Sequence, residues 1–293
     1  MNQNFLLISI RRIDVLFLLF NFFGLIMLIK KARQFLQRRQ LTKVREQWKI
    51  ASPDFSQELS LSQSLIKYQS SNESYRYFHQ YFHHRCPQII RDHRNYFSVD
   101  HRGFGEDAMH AMWWLIFLEY KPASCLEIGV YRGQVLSLWM LISDYIRHVS
   151  SIYGISPFSD AGDTISNYIT DLDYYNDVLR NFSYFNLPLP TLIKSLSTDS
   201  LATETISEKM WDLIYIDGSH DYPVVLSDYN ICRKNLKEGG ILVLDDAALN
   251  LDYEPPEFAS KGHPGPSKVA HEFATNEMNF LGSVGHNLIF EKY

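Results

Sequence analysis

Residues 125–133 read CLEIGVYRG, and this stretch decides the fold. Three apolar residues and one glutamate lead into a glycine turn, and a helix-patterned run, 133–148 (GQVLSLWMLISDYIRH), follows at once. A short buried strand feeding a helix through glycines is the opening half of a βαβ unit. Working outward, the alternation persists. SSIYGIS (150–156), TLIKSLS (191–197), DLIYID (212–217) and ILVLDD (241–246) read as strands. Helical runs separate them: two stretches between Thr164 and Tyr184, SLATETISEK (200–209), and YPVVLSDYNICRKNL (222–236), the last stopped by Gly239–Gly240. Upstream, AMHAMWWLIFLEY (108–120) is an apolar helix. Downstream, Ser267 is placed to cap VAHEFATNEM, and FLGSVG and NLIFEKY close the chain as two strands. The pattern predicts an α/β fold with a parallel sheet, right-handed crossovers and an antiparallel edge.

The rest of the chain bounds the answer. With 46% hydrophobic residues in 293, there is material for a real core. A net charge of −5 removes the chain-wide basic field of a nucleic-acid binder. Cys86, Cys125 and Cys232 are odd in number and far apart, which argues against a disulfide framework or a structural zinc site.

Residues 1–31 differ from the rest. Val15 to Ile29 is a nearly unbroken apolar run. As a helix it is about 22 Å long, short of a hydrocarbon core of about 30 Å. Ile13 and the stems of Arg11, Arg12, Lys30 and Lys31 narrow that gap. The expectation is a membrane anchor, with an apolar helix lying on the domain or in the membrane interface as the alternative. The excess of Lys and Arg after the run leaves the bulk of the chain in the cytoplasm. Residues 32–96 read as a basic helix followed by helical and linker sequence, and 97–293 as the catalytic domain. His79 and His83 are four apart on one helix face, a spacing that can ligate metal and more often packs. A homo-oligomer is left open.

In open α/β sheets ligands sit beyond the carboxyl ends of the strands. The first such end is Glu127-Ile-Gly129-Val-Tyr131-Arg-Gly133. It departs from the G-x-G-x-x-G fingerprint, with Glu127 in place of the first glycine and Arg132 in place of the third. A glutamate there repels a pyrophosphate and suits a ligand with a cationic amino group. At the neighbouring strand ends Asp217, Asp245 and Asp246 converge. Three carboxylates without partners repel one another, a divalent cation relieves that repulsion, and oxygen ligands suit Mg2+ or a similar hard ion.

CLEIGVYRG, IDGSHDY (216–222) and GGILVLDD (239–246), at βαβ spacing, resemble the class I S-adenosylmethionine-dependent methyltransferases. The nearest likeness is to the macrocin-type sugar and catechol-type O-methyltransferases, and it covers roughly Gly105 to Tyr293. The resemblance implies a Rossmann-like, doubly wound seven-stranded sheet. It implies that Glu127, Gly129, Tyr131 and Gly133 line the methionine end of S-adenosylmethionine, with Asp217 at the same site. It normally places an acid on the ribose; here Ser156 stands at that position, with Asp160 nearby. Asp199, in Ser197-Thr-Asp199, falls near the adenine, with an N-cap as its alternative role. In metal-dependent members the equivalents of Asp217, Asp245 and Asp246 hold the cation, and a lysine base occupies the offset where His220 stands. A histidine there suits removal of an acceptor hydroxyl proton. Tyr222, His263 and Trp113–Trp114 fall on the acceptor side, where packing is their ordinary role. The expectation is metal-assisted methylation of a hydroxyl on a sugar, glycan or secondary metabolite. A cephalosporin-hydroxylase-like protein on the same scaffold and a non-catalytic, membrane-tethered cofactor binder are the alternatives.

Overall fold

The computed structural model describes residues 30–31, 33, 35–37, 39–50, 58–166 and 168–293. The chain divides into two compact units, Met1–Gln47 and Trp48–Tyr293. The described part of the first is helical and exposed, with Phe35 and Leu36 open to solvent. The expected membrane segment lies outside the described residues. Among the described residues no helix is long and apolar enough to cross a membrane.

The second unit opens with three helices, α1 (Leu61–Lys67), α2 (Ser71–His84) and α3 (Gln88–Phe97). α2 starts at Ser70, whose hydroxyl accepts the Glu73 N–H at 3.2 Å, as an N-cap should. Tyr75, Phe78 and Phe82 repeat at helical spacing and are buried. They face α4 (Asp107–Tyr120), which is buried from Ala108 to Phe117, as a helix apolar on all sides must be. The compact body therefore includes the helices before residue 97.

The α/β part runs β1 (Ser124–Ile128), α5 (Gln134–Tyr145), β2 (Ser151–Ser156), α6 (Tyr174–Tyr184), β3 (Thr191–Lys194), α7 (Ser200–Ser207), β4 (Trp211–Ile216), α8 (Tyr222–Lys234) and β5 (Leu236–Leu244). A short helix α9 (Pro264–Val269) continues as a π turn over Ala270–Ala274, and β6 (Asn279–Val284) and β7 (Asn287–Glu291) close the chain. The seven strands lie in the order β3-β2-β1-β4-β5-β7-β6. The first five are parallel, and β7 is antiparallel to both β5 and β6. The chain leaves β1 toward β2 on one side and returns as β4 on the other. That reversal opens a crevice beyond the carboxyl ends of β1 and β4.

Local details differ from expectation in three places. Among the described residues between Thr164 and Tyr184 there is one helix, α6; residues 157–166 and 168–173 are irregular, and Asp163 Oδ1 accepts the N–H groups of Ile165 and Ser166 there. Gly239–Gly240 lies inside β5, where Gly239 N–H bonds the Lys292 carbonyl at 2.7 Å; α8 stops earlier, at Asn235. The last helical run begins at Pro264 after His263, since proline suits the first helical position. Ser267 then sits within α9 and its hydroxyl accepts the Leu249 N–H.

Candidate active site

A cavity of about 780 Å³ fills the crevice at the carboxyl ends of β1, β2, β4 and β5. One end is built on the CLEIGVYRG turn. Glu127 is 1% exposed, and its Oε2 has no hydrogen-bond partner among the described residues. The Leu136 N–H, in the first turn of α5, supports the other side of the carboxyl group. Burial drives its pKa well above the usual glutamate range, and Asp245 pushes the same way. Gly129 has φ +97°, and a Cβ there would run into the Asp217 carbonyl. Its glycine is thus required where β1 and β4 part. Tyr131 takes a left-handed φ of +44°, which turns its ring onto the cavity wall beside Phe104 and Tyr174. Beneath this turn Arg132 and Asp177 form a buried ion pair, Nε to Oδ2 2.5 Å.

The other end holds a chain of titratable groups. His220 lies just before α8. Its Nδ1 is 2.6 Å from Asp163 Oδ2, and the same oxygen accepts the His220 backbone N–H at 2.7 Å. Asp163 Oδ1 accepts the N–H groups of Ile165 and Ser166. Burial opposes the Asp163 carboxylate, but these backbone donors hold its pKa below the usual range. His220 Nε2 reaches Asp246 Oδ2 at 2.9 Å. Burial disfavours its cationic form, yet Asp246 and Asp163 together raise its pKa.

Asp246 has φ +52°, an uncommon backbone for aspartate, just beyond the end of β5. Burial opposes its charge too; His220, His286 and His263 outweigh burial and hold its pKa down. Asp245 accepts Asn287 Nδ2 at 2.7 Å and faces His286 Nε2 at 3.3 Å. Asp217 is half-buried beside Asp245, and desolvation and that neighbour raise its pKa.

Glu127, Gly129, Tyr131, Ser156, Asp217, His220, Asp245 and Asp246 therefore share one cavity wall. Gly133 and Asp199 do not. Gly133 packs toward Val178, and Asp199 folds back to accept the Leu196 N–H at 3.3 Å, closing a turn in front of α7. Asp160 is also off the wall, where Asp163 stands instead. Trp113 and His263 line the cavity; Trp114 and Tyr222 do not. The expected three-carboxylate seat is rearranged. Two clusters bring three ligand atoms within 4.8 Å of one another here, His220/Asp246/His263 and Asp245/Asp246/His286, and Asp217 joins neither.

Sequence reading missed Asp163, His286 and Glu106, the last a half-buried acid on the wall. Asp163 has a local signal that was not used, an acid one residue ahead of the helical run expected from Thr164. The His79–His83 pair acquires an acidic neighbour from α4: His83 Nε2 is 3.0 Å from Asp107, whose other oxygen accepts Arg94 Nε at 3.1 Å.

Residues 126–247, from β1 to just past β5, match the family model described as a methyltransferase domain. This segment is a methyltransferase domain. An uncharacterised protein of Acanthamoeba polyphaga mimivirus is 28% identical over 133 residues, 44% of this chain and 53% of that protein. The alignment thus spans about half the length of that curated relative. Among solved structures, the SAH-bound methyltransferase PaMTH1 of Podospora anserina superposes with a TM-score of 0.51 at 15% identity. It covers 71% of this chain and 88% of its own. An O-methyltransferase of Bacillus cereus in complex with SAH gives a TM-score of 0.47 at 14% identity, covering 71% and 93%. The methyltransferase domain has the class I Rossmann-like fold. Its matched segment holds all the expected site residues, whereas His263 and His286 lie beyond it.

Proposed function

We propose that the methyltransferase domain transfers a methyl group from S-adenosylmethionine to a hydroxyl oxygen of a sugar, glycan or secondary metabolite. The observation that carries this reading is the Asp163–His220 pair, set in the same cavity as Glu127, whose Oε2 has no hydrogen-bond partner among the described residues. Glu127 takes the cofactor's ammonium group, which supplies the partner its Oε2 lacks. The Ser156 hydroxyl faces the ribose. The Asp163 carboxylate accepts the Nδ1 proton of His220, and Nε2, which faces Asp246 Oδ2 at 2.9 Å, becomes the base when Asp246 turns to a bound cation.

The methyl leaves sulfur as the acceptor oxygen attacks in line. The C–O bond forms, the C–S bond breaks to leave S-adenosylhomocysteine, and the hydroxyl proton passes to His220 Nε2. Alignment supplies most of the rate, because a sulfonium is already a reactive donor.

Asp245 and Asp246 are the carboxylates placed to hold a divalent cation, Mg2+ or another. Bound there, it would polarise the acceptor hydroxyl and ease its deprotonation. The chemistry of the donors fits: two adjacent acids on the cavity wall, Asp246 held down in pKa by the histidines around it and Asp245 pushed up by burial and by Asp246. The apolar run before Lys30 would tether the domain at a membrane, with its catalytic body in the cytoplasm.

Calorimetric titration tests the cofactor; an absence of S-adenosylmethionine binding removes the proposal. Transfer of labelled methyl to hydroxylated sugars and catechols tests the reaction, and His220→Ala should reduce it at least tenfold. Turnover that is unchanged in chelator and in Asp245→Asn removes the cation.

A further inference from the structure

We propose that His286 is a ligand of the divalent cation at Asp245 and Asp246, which makes the seat an imidazole–carboxylate site for a first-row transition ion such as Mn2+, Fe2+ or Zn2+. This rests on the metal-assisted reading above and replaces Asp217 as the third ligand.

His286 sits in the turn between β6 and β7, after Gly285, whose φ is +61°. Its carbonyl accepts the Ala247 N–H at 2.9 Å, which ties the turn to the residue following Asp246. The ring is thereby delivered to the strand-end carboxylates. Its Nε2 lies 3.3 Å from Asp245 Oδ1 and 3.8 Å from Asp246 Oδ1. Its Nδ1 faces the Ser260 carbonyl at 3.2 Å. A carbonyl only accepts, so Nδ1 carries a proton and Nε2, which faces the two acids, is the nitrogen left to take either a proton or a cation. Metal-binding histidines are commonly held in this way, by a backbone carbonyl behind the distal nitrogen. Asp245 is braced in turn by Asn287 Nδ2 at 2.7 Å.

The three ligand atoms lie within 4.8 Å of one another. Ligands about 2.0–2.2 Å from one ion sit about 3–4.4 Å apart, so only a small closure is needed. Asp217 belongs to neither of the three-atom clusters at this end of the cavity. One imidazole beside two carboxylates suits borderline ions better than Mg2+, which favours all-oxygen surroundings.

The test uses the full chain, stripped with chelator and reloaded with Mn2+, and reads nitrogen coupling by electron spin-echo modulation. We expect 14N modulation that changes to the 15N pattern when the protein is grown with [15N]histidine. The modulation should vanish in His286→Gln and persist in His220→Ala and His263→Ala. Calorimetry should show Mn2+ affinity falling about 10–100-fold in His286→Gln, with Mg2+ affinity changed less than about threefold. Tight Mn2+ binding without nitrogen coupling, or coupling lost in His220→Ala or His263→Ala instead, overturns the role of His286 and leaves the cation standing. No binding of Mn2+ or Mg2+ to the unmodified protein overturns the cation itself. If His286→Gln does not fold, labelled coupling that persists in both His220→Ala and His263→Ala still assigns the nitrogen to His286, and its loss in either one overturns that assignment.

Discussion

Replacing Glu127 with glutamine should change stability and cofactor affinity in opposite directions. The side chain is 1% exposed, and its Oε2 has no partner among the described residues. An unsatisfied buried polar atom costs about 1–3 kcal/mol, and more when charged. Glutamine removes the charge while its amide oxygen can still accept the Leu136 N–H. The amide nitrogen takes the unpartnered place of Oε2, so the gain comes from removing the charge: about 1–3 kcal/mol at pH 8 for the variant without ligand, or roughly 2–12 °C in Tm for a body of this size. The folded carboxyl has a raised pKa, so the folded state holds its proton where the unfolded chain has released it. Stability of the parent must then fall as pH rises from the ordinary glutamate value of 4.5 toward the raised one. The variant should lack that slope. Affinity moves the other way: losing a charge-assisted bond to the cofactor ammonium costs about 1.5–3 kcal/mol, or about 10–150-fold in Kd. Urea unfolding at several pH values and calorimetry with S-adenosylmethionine and S-adenosylhomocysteine measure both arms. A variant that is less stable at pH 8, or a Kd within about threefold of the parent, would refute the assignment.

Asp177→Ala should destabilise by about 3–5 kcal/mol, because it strands the Arg132 guanidinium beneath the glycine turn; a loss below about 1 kcal/mol in urea unfolding contradicts this. Asp163→Asn should slow labelled methyl transfer about 10–150-fold through loss of one charge-assisted bond to His220. Its S-adenosylmethionine Kd should stay within about threefold, and equal loss in both would point to general damage. The Asp228 carboxyl is buried under Ser197 and pushed up from 3.8 to about 7 by that burial. Its folded pKa is raised, so the stability it contributes is complete below pH 3.8 and is lost as pH rises through about 7. Asp228→Asn should thus gain on the parent in Tm across that window, and a gap independent of pH would exclude Asp228 as the titrating group.

Much of the fold was legible because period and punctuation carry it. Short apolar strands, glycine turns and helical runs from Ser124 onward are local features, and all seven strands lie where the alternation puts them. The errors share one cause. Ser267, Gly239–Gly240 and the run after Thr164 are positions where a local cap or stop signal was plausible but a distant partner decided. Lys292 claims the Gly239 N–H, Leu249 the Ser267 hydroxyl, and His220 the Asp163 carboxylate.

The site divides in the same way. Glu127, Asp217, His220, Asp245 and Asp246 could be read directly, since residues just beyond strand ends must meet at the crevice whatever the side-chain detail. Sequence by itself determined the class of fold, the strand-end acids and the histidine beside them. Only tertiary structure decided who partners whom. It put Asp163, 57 residues away, behind His220, and sent Asp217 down to Asp245. It also carried His286, 40 residues beyond Asp246, back over the strand ends. The physical reason is that a strand's periodicity fixes which way its own side chains point, while a loop or hairpin turn returns to the site only once the sheet has closed around it.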